Sequence, residues 1–145
     1  GQADTEVLFY LALTFGLEDD PPAAVAQAIG LVEDVAERHG VPHPFQGTVA
    51  TTDGESIWAF RYSSEGKSRS LFYTTDVPAL RKLYPEREDL REFSDDARLI
   101  VSEPLGDVAG VWNEVPESTW GVVGADRDEM QPFRPKAPSR SIPVA

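Results

Sequence analysis

Near residue 45 the spacing of apolar residues changes from the period of a helix to that of a strand. Before it, "ADTEVLFYLALTFG" and "DDPPAAVAQAIGLVEDVAERHG" read as two helices; after it, "FQGTVATTDGESIWAFRYSS" reads as two strands around a turn. Helices that come first, followed by mainly antiparallel strands, cannot be interleaved as βαβ units. They must instead cover a sheet, which is the α+β class.

The first helix is expected over residues 5–15, with Asp4 as its N-cap and Gly16 as its stop. Leu8, Leu11 and Phe15 fall at helical spacing and are flanked by Val7, Phe9 and Tyr10. The segment is therefore apolar nearly all round and needs cover on more than one side. The second helix has firmer punctuation: Asp20 as cap, Pro21 at the first helical position and Gly40 past the end. Its inward stripe is Val25, Ile29, Val32 and Ala36, while Glu33, Asp34, Glu37 and Arg38 are expected to face water. Asp34 and Arg38 stand in the supportive i,i+4 order.

Asp53-Gly54 between two β-rich runs predicts a hairpin with a type I′ turn. Further strands are expected in "SRSLFYTT", "ARLIVSEPL", "GVWNEVP" and "STWGVVGAD", with a short last one in "DEMQPFRP". "VPALRKLYP" and "EREDLREFS" read as short helical turns, and "PKAPSRSIPVA" as a Pro-rich unstructured tail.

Composition narrows the function. Three Trp, four Tyr and seven Phe supply the faces of a folded core. Acidic residues outnumber basic ones 25 to 13, for a net charge of −12. Nucleic acid is excluded as a partner on that balance, because phosphate binding needs Lys and Arg to displace counterions. No apolar run reaches the roughly 18 residues of a membrane span, so no membrane partner is expected. No basic lead followed by an apolar run and a cleavage site is visible, and a cytoplasmic location is expected. The sequence holds no cysteine, which removes disulfides, thiolate metal sites and a Cys nucleophile from this chain.

Searches for self-contained chemistry return little. The phosphate-binding, zincin and nucleophile-elbow motifs are absent, and neither metal nor cofactor is expected. His39 and His43 lie four apart, but Gly40 and Pro42 interrupt any helix that would align them, so they read as a polar loop. Ser63 and Ser64 have no local His and read as hydroxyls satisfying backbone groups at the hairpin end. Asp95 and Asp96 precede the strand that carries Glu103, which suits solvated carboxylates better than an acid/base pair. Trp58, Trp112 and Trp120 lie in strand segments, where packing is the default role and an interface the alternative.

Taken in order, "ADTEVLFYLAL", a capped helix, "TVATTDGESIWAFRYSSEGKSRSLFYTT", "ARLIVSEPL" and "WNEVPESTWGVV" resemble the C-terminal half of a class II glutamine amidotransferase domain. That family belongs to the N-terminal-nucleophile (Ntn) hydrolase superfamily. In it a [ST]D[ST]E motif opens a long helix, a hairpin carries DG, an R[YS]S turn follows, and a later strand ends in SEPL or a variant of it. The similarity covers residues 3–134 and is greatest to small stand-alone bacterial members. Here Ala3 stands where the family has Ser or Thr.

The resemblance implies part of a four-layer αββα sandwich over residues 1–134, with a disordered tail at 135–145. It also implies chemistry. Family members begin with a cysteine whose thiolate attacks the glutamine side-chain amide, with its own α-amino group as base and an Asn-Gly pair as oxyanion hole. An arginine from the same half holds the substrate carboxylate. Those parts precede the helix that Asp4 opens, so this chain is expected to be one portion of a glutamine amidotransferase or amidohydrolase, and inactive alone. Asp4 matches the aspartate that binds the α-amino group of glutamine. The expected partners are glutamine or a γ-glutamyl compound, the N-terminal half of the domain and a further copy of the chain. The rival expectation is a non-catalytic binding or interaction module, a degenerate relative of the same fold.

Overall fold

The structure is a computed structural model and describes residues 3–106 and 110–139. Two helices, α1 (Asp4–Thr14) and α2 (Pro21–Arg38), lead into a hairpin of β1 (Gln46–Thr52) and β2 (Ser56–Ser63). Then follow β3 (Phe72–Thr74), α3 (Val77–Leu83), a 3-10 turn at Glu88–Arg91, β4 (Leu99–Val101), β5 (Asn113–Glu114), β6 (Thr119–Gly124) and β7 (Asp128–Pro132). One sheet has the order β1-β2-β6-β7 and the second β4-β3-β5, with every pairing antiparallel. The α+β class expected from the change of period is the class found.

Strand alternation builds the layers. Trp58, Phe60 and Tyr62 point from β2 into a core closed by Ala12, Leu17, Ala24, Val25, Ala28 and Ile29 of the helical segment. The intervening Ala59 points the other way, into a second core with Leu71, Val115, Tyr73 and Ile100. The result is a helical layer, a four-stranded sheet and a three-stranded sheet, the α-β-β order of part of an αββα sandwich.

The second helix starts as its sequence dictates. Asp20 Oδ1 accepts from the backbone N–H of Ala23 at 3.1 Å, with Pro21 directly after the cap. Arg38 Nη2 and Asp34 Oδ2 pair at 2.7 Å one turn apart. Glu33 departs from expectation. Its carboxylate turns to the sheet rather than to water, accepting from Tyr62 Oη and Ser64 Oγ, each at 2.6 Å. Burial, together with this carboxylate, pushes the Tyr62 phenol up to about 12.

The hairpin turn also differs from expectation. Pairing ends at Thr52 opposite Ile57, so residues 53–56 form a four-residue loop rather than a two-residue type I′ turn. Asp53 closes it by accepting from the N–H groups of Glu55 and Ser56, each at 2.9 Å, and those contacts, Ser56 foremost, hold its carboxyl below the usual range. Only Gly54 takes a positive φ, of 96°.

Part of the stretch expected to be an unstructured tail lies against α2. The Lys136 N–H donates to the Ala26 carbonyl at 3.0 Å. A Cβ at Gly30 would meet the backbone N of Ala137 at 2.3 Å, so this approach requires glycine. Phe133, buried ahead of it, packs edge-on to Phe60 with centroids 5.5 Å apart. Residues 140–145 of the tail, and Gly1 and Gln2, lie outside the described residues. No helix among the described residues is long and apolar enough to cross a membrane.

The first helix has less cover than its sequence requires. Val7, Phe9 and Tyr10 are 59%, 47% and 60% exposed, although the opposite face supplies the buried Ala12 and the half-buried Leu8 and Leu11.

Candidate functional site

Asp4 was expected to cap α1, and it does not. Ala3 is the N-cap; its carbonyl accepts from the N–H groups of Glu6 and Val7 at 2.9 and 3.2 Å, with no side-chain cap bond. Asp4 sits one residue inside, in the first turn, where a negative charge suits the helix dipole. Its carboxylate is therefore not spent on capping.

Asp4 lines a cleft with a cavity volume of about 280 Å³ between the first turn of α1 and the start of β1. Thr5 and Leu8 continue the helical wall, Phe45, Gln46, Gly47, Thr48 and Val49 form the strand wall, and Arg69 approaches from the loop before β3. Gln46 is anchored by its Nε2, which donates to the Lys67 carbonyl at 2.7 Å and so ties the strand start to the loop that carries Arg69. Phe45 is held by its N–H, which donates to Ser64 Oγ at 3.2 Å, and by stacking on Tyr62 with centroids 6.2 Å apart. An acid and a guanidinium thus flank one opening. From sequence only Asp4 was legible there, because Arg69 and Gln46 reach it through chain reversals that carry no local signature.

A second polar cluster joins the two sheets. Arg61, on β2 and mostly buried, donates from Nη1 to Glu114 Oε1 at 2.7 Å and to the Val115 carbonyl at 2.6 Å, and from Nε to Ser68 Oγ at 3.0 Å. Ser68 donates in turn, from Oγ at 2.5 Å and from its backbone N–H at 2.9 Å, to Glu117 Oε2. Burial alone pushes the Glu117 carboxyl up, but the Ser68 donors and the Arg61 charge outweigh it and leave the group below its ordinary range.

The other candidates stand apart from the cleft. His39 and His43 are exposed, with His43 at a positive φ of 48° in the connection to β1. Ser63 and Ser64 satisfy the Glu65 and Phe45 N–H groups, as expected of hairpin-end hydroxyls. Asp95 pairs with Arg81, while Asp96 is held by Ser94, and both are exposed, as is Glu103. Trp58 and Trp120 pack in the core below the helices, and Trp112 is half-buried beside β5.

No protein-family model matches the chain, and no curated protein does. Among solved structures it is similar to a glutamine aminotransferase class-II domain protein from Silicibacter pomeroyi, with 32% identity and a TM-score of 0.74. The match covers 94% of this chain and 54% of the other, so the chain spans about half the length of the structure it matches.

Proposed function

We propose that the chain is the C-terminal portion of a class II glutamine amidotransferase domain of the Ntn type, working in the cytoplasm. In its whole form such a domain hydrolyses glutamine or a γ-glutamyl amide. The observation that supports this reading is the placement of Asp4: at the residue where the resemblance puts an ammonium-binding aspartate, a carboxylate that makes no hydrogen bond or ion pair among the described residues lines a cleft of amino-acid size. A carboxylate facing an ammonium there gains a charge-assisted hydrogen bond, stronger than a neutral pair.

In this reading the chain supplies substrate binding and fold support, not the attacking sulfur. The nucleophile is a cysteine in the portion of the domain that this sequence does not span. That same portion covers Val7, Phe9 and Tyr10. Absence of cysteine also favours a second reading, a binding module that holds glutamine without cleaving it.

The test is glutamate release. The full-length polypeptide is expected to liberate glutamate from L-glutamine or a γ-glutamyl amide, and the 145-residue chain alone to liberate none. A folded full-length polypeptide that binds glutamine and releases no glutamate would decide for the binding module. A separate expectation concerns cover. Size-exclusion chromatography with light scattering of the isolated chain is expected to show self-association through the exposed α1 face, and a compact monomer that unfolds cooperatively would contradict it.

A further inference from the structure

We propose that Glu33 is a positioning residue of the Asp4 cleft: through Tyr62 and Ser64 it fixes Phe45, the aromatic residue of the strand wall. The assignment rests on the glutamine-cleaving reading above. Phe45 lines the cleft together with Asp4, yet it lies one residue beyond the last paired position of β1, where Gln46 stands opposite Ser63. The β1-β2 ladder therefore does not place it, and contacts outside the ladder must. Glu33 does not line the cleft itself, so any effect it has there passes through Phe45.

The holds on Phe45 converge on that one carboxylate. The Phe45 N–H donates to Ser64 Oγ at 3.2 Å, and its carbonyl accepts from the Ser64 N–H at 2.9 Å. Its ring stacks on Tyr62 with centroids 6.2 Å apart and covers Gly47, where a Cβ would come within 2.8 Å of the ring. Tyr62 and Ser64 stand two apart at the end of β2, and both hydroxyls donate to Glu33 Oε1 at 2.6 Å. Such charge-assisted bonds are stronger than neutral ones. Because Glu33 takes the Ser64 hydroxyl proton, the lone pairs of that oxygen are left to accept the Phe45 N–H; without the carboxylate the hydroxyl is free to rotate. Burial, together with Glu33, holds the Tyr62 phenol up to about 12, so it stays a donor through neutral pH.

Steady-state kinetics of glutamate release from L-glutamine by the full-length polypeptide test the assignment. Wild type, Glu33→Ala, Glu33→Gln, Phe45→Leu and the Glu33→Ala/Phe45→Leu double variant are compared. Glu33→Ala is expected to raise KM by roughly 3- to 10-fold with a smaller change in kcat, because Phe45 walls the binding cleft. A merely structural loss lowers the folded fraction, and with it kcat, but leaves KM alone. Glu33→Gln is expected to recover most of the loss, since both hydroxyls meet the same oxygen and an amide oxygen accepts from two donors. In the Phe45→Leu background, adding Glu33→Ala should change KM by less than about twofold, the mark of an effect carried by the ring. Ser64→Ala removes the acceptor of the Phe45 N–H while keeping Glu33, and the same rise in KM is expected there even if Glu33→Ala does not fold. The assignment is overturned, with glutamine cleavage left standing, by a KM within about twofold of wild type in both Glu33→Ala and Ser64→Ala. Equal losses in the Ala and Gln variants at Glu33, or full additivity with Phe45→Leu, overturn it too. A wild type that releases no glutamate overturns the reading on which the assignment rests, and the assignment with it.

Discussion

Phe60→Ala is expected to destabilise the full-length polypeptide by about 3–5 kcal/mol, the range for removing a buried aromatic from a core that relaxes only partly. Phe60 is 1% exposed, projects from the central hairpin strand and stands among Ala12, Val25, Ile29 and Phe133. Its edge contact to Phe133 secures the chain that runs on to Lys136 and Ala137 along α2. The loss therefore reaches beyond one cavity, and proteolysis near residue 136 should rise with it. Urea denaturation measures the main effect, and a shift below about 1 kcal/mol would show that the helical layer and the first sheet do not share the core described.

The second large effect is expected at Arg61→Met, which keeps most of the side-chain volume and removes the charge. Arg61 is the hub between the sheets, and its loss strips the Val115 carbonyl and the Glu114 and Glu117 carboxylates of a donor or counter-charge. A cost of about 2–3 kcal/mol is expected, less than for a fully dry pair because Glu114 is half exposed. The pH dependence has a definite sign. The Glu117 carboxyl lies below its ordinary value in the folded state, so its stabilisation is complete above the unfolded value and is lost as pH falls through the folded one. In Arg61→Met that acid-induced loss should shrink, because Ser68 remains but the positive charge does not. Denaturation midpoints at neutral pH and near pH 3 measure it, and an acid sensitivity equal to wild type would contradict the role given to Arg61.

Local rules made the helices and strands legible. Asp20, Pro21 and the Asp34–Arg38 pair act within one turn, and the alternation of Trp58, Phe60 and Tyr62 against Ala59 and Arg61 follows from the pleat. Misses arose where a distant partner decided the outcome. Glu33 is turned by Tyr62 and Ser64, about thirty residues ahead of it, so its place on the polar side of α2 misled. The Asp53 turn lengthened because its side chain, rather than the backbone alone, closes the loop. Lys136 and Ala137 lie against α2 because Gly30, a hundred residues earlier, leaves room for their backbone.

The cleft was half legible for the same reason. Asp4 was singled out by its motif and position, though its capping role passed to the Ala3 carbonyl. Arg69 and Gln46 had no motif to carry them, and only the pairing of β1 with β2 and the Gln46–Lys67 contact bring them opposite α1.

The central claim is that the Asp4 carboxylate receives the ammonium of a glutamine-like substrate, and steady-state kinetics of Asp4→Asn in the full-length polypeptide test it most directly. Asparagine keeps the shape and removes the charge of an exposed side chain, so the fold should be unchanged. The account predicts a KM for L-glutamine or a γ-glutamyl amide raised by roughly 10- to 100-fold with a smaller change in kcat, as loss of a charge-assisted contact requires. A KM that stays within about twofold of wild type would contradict it.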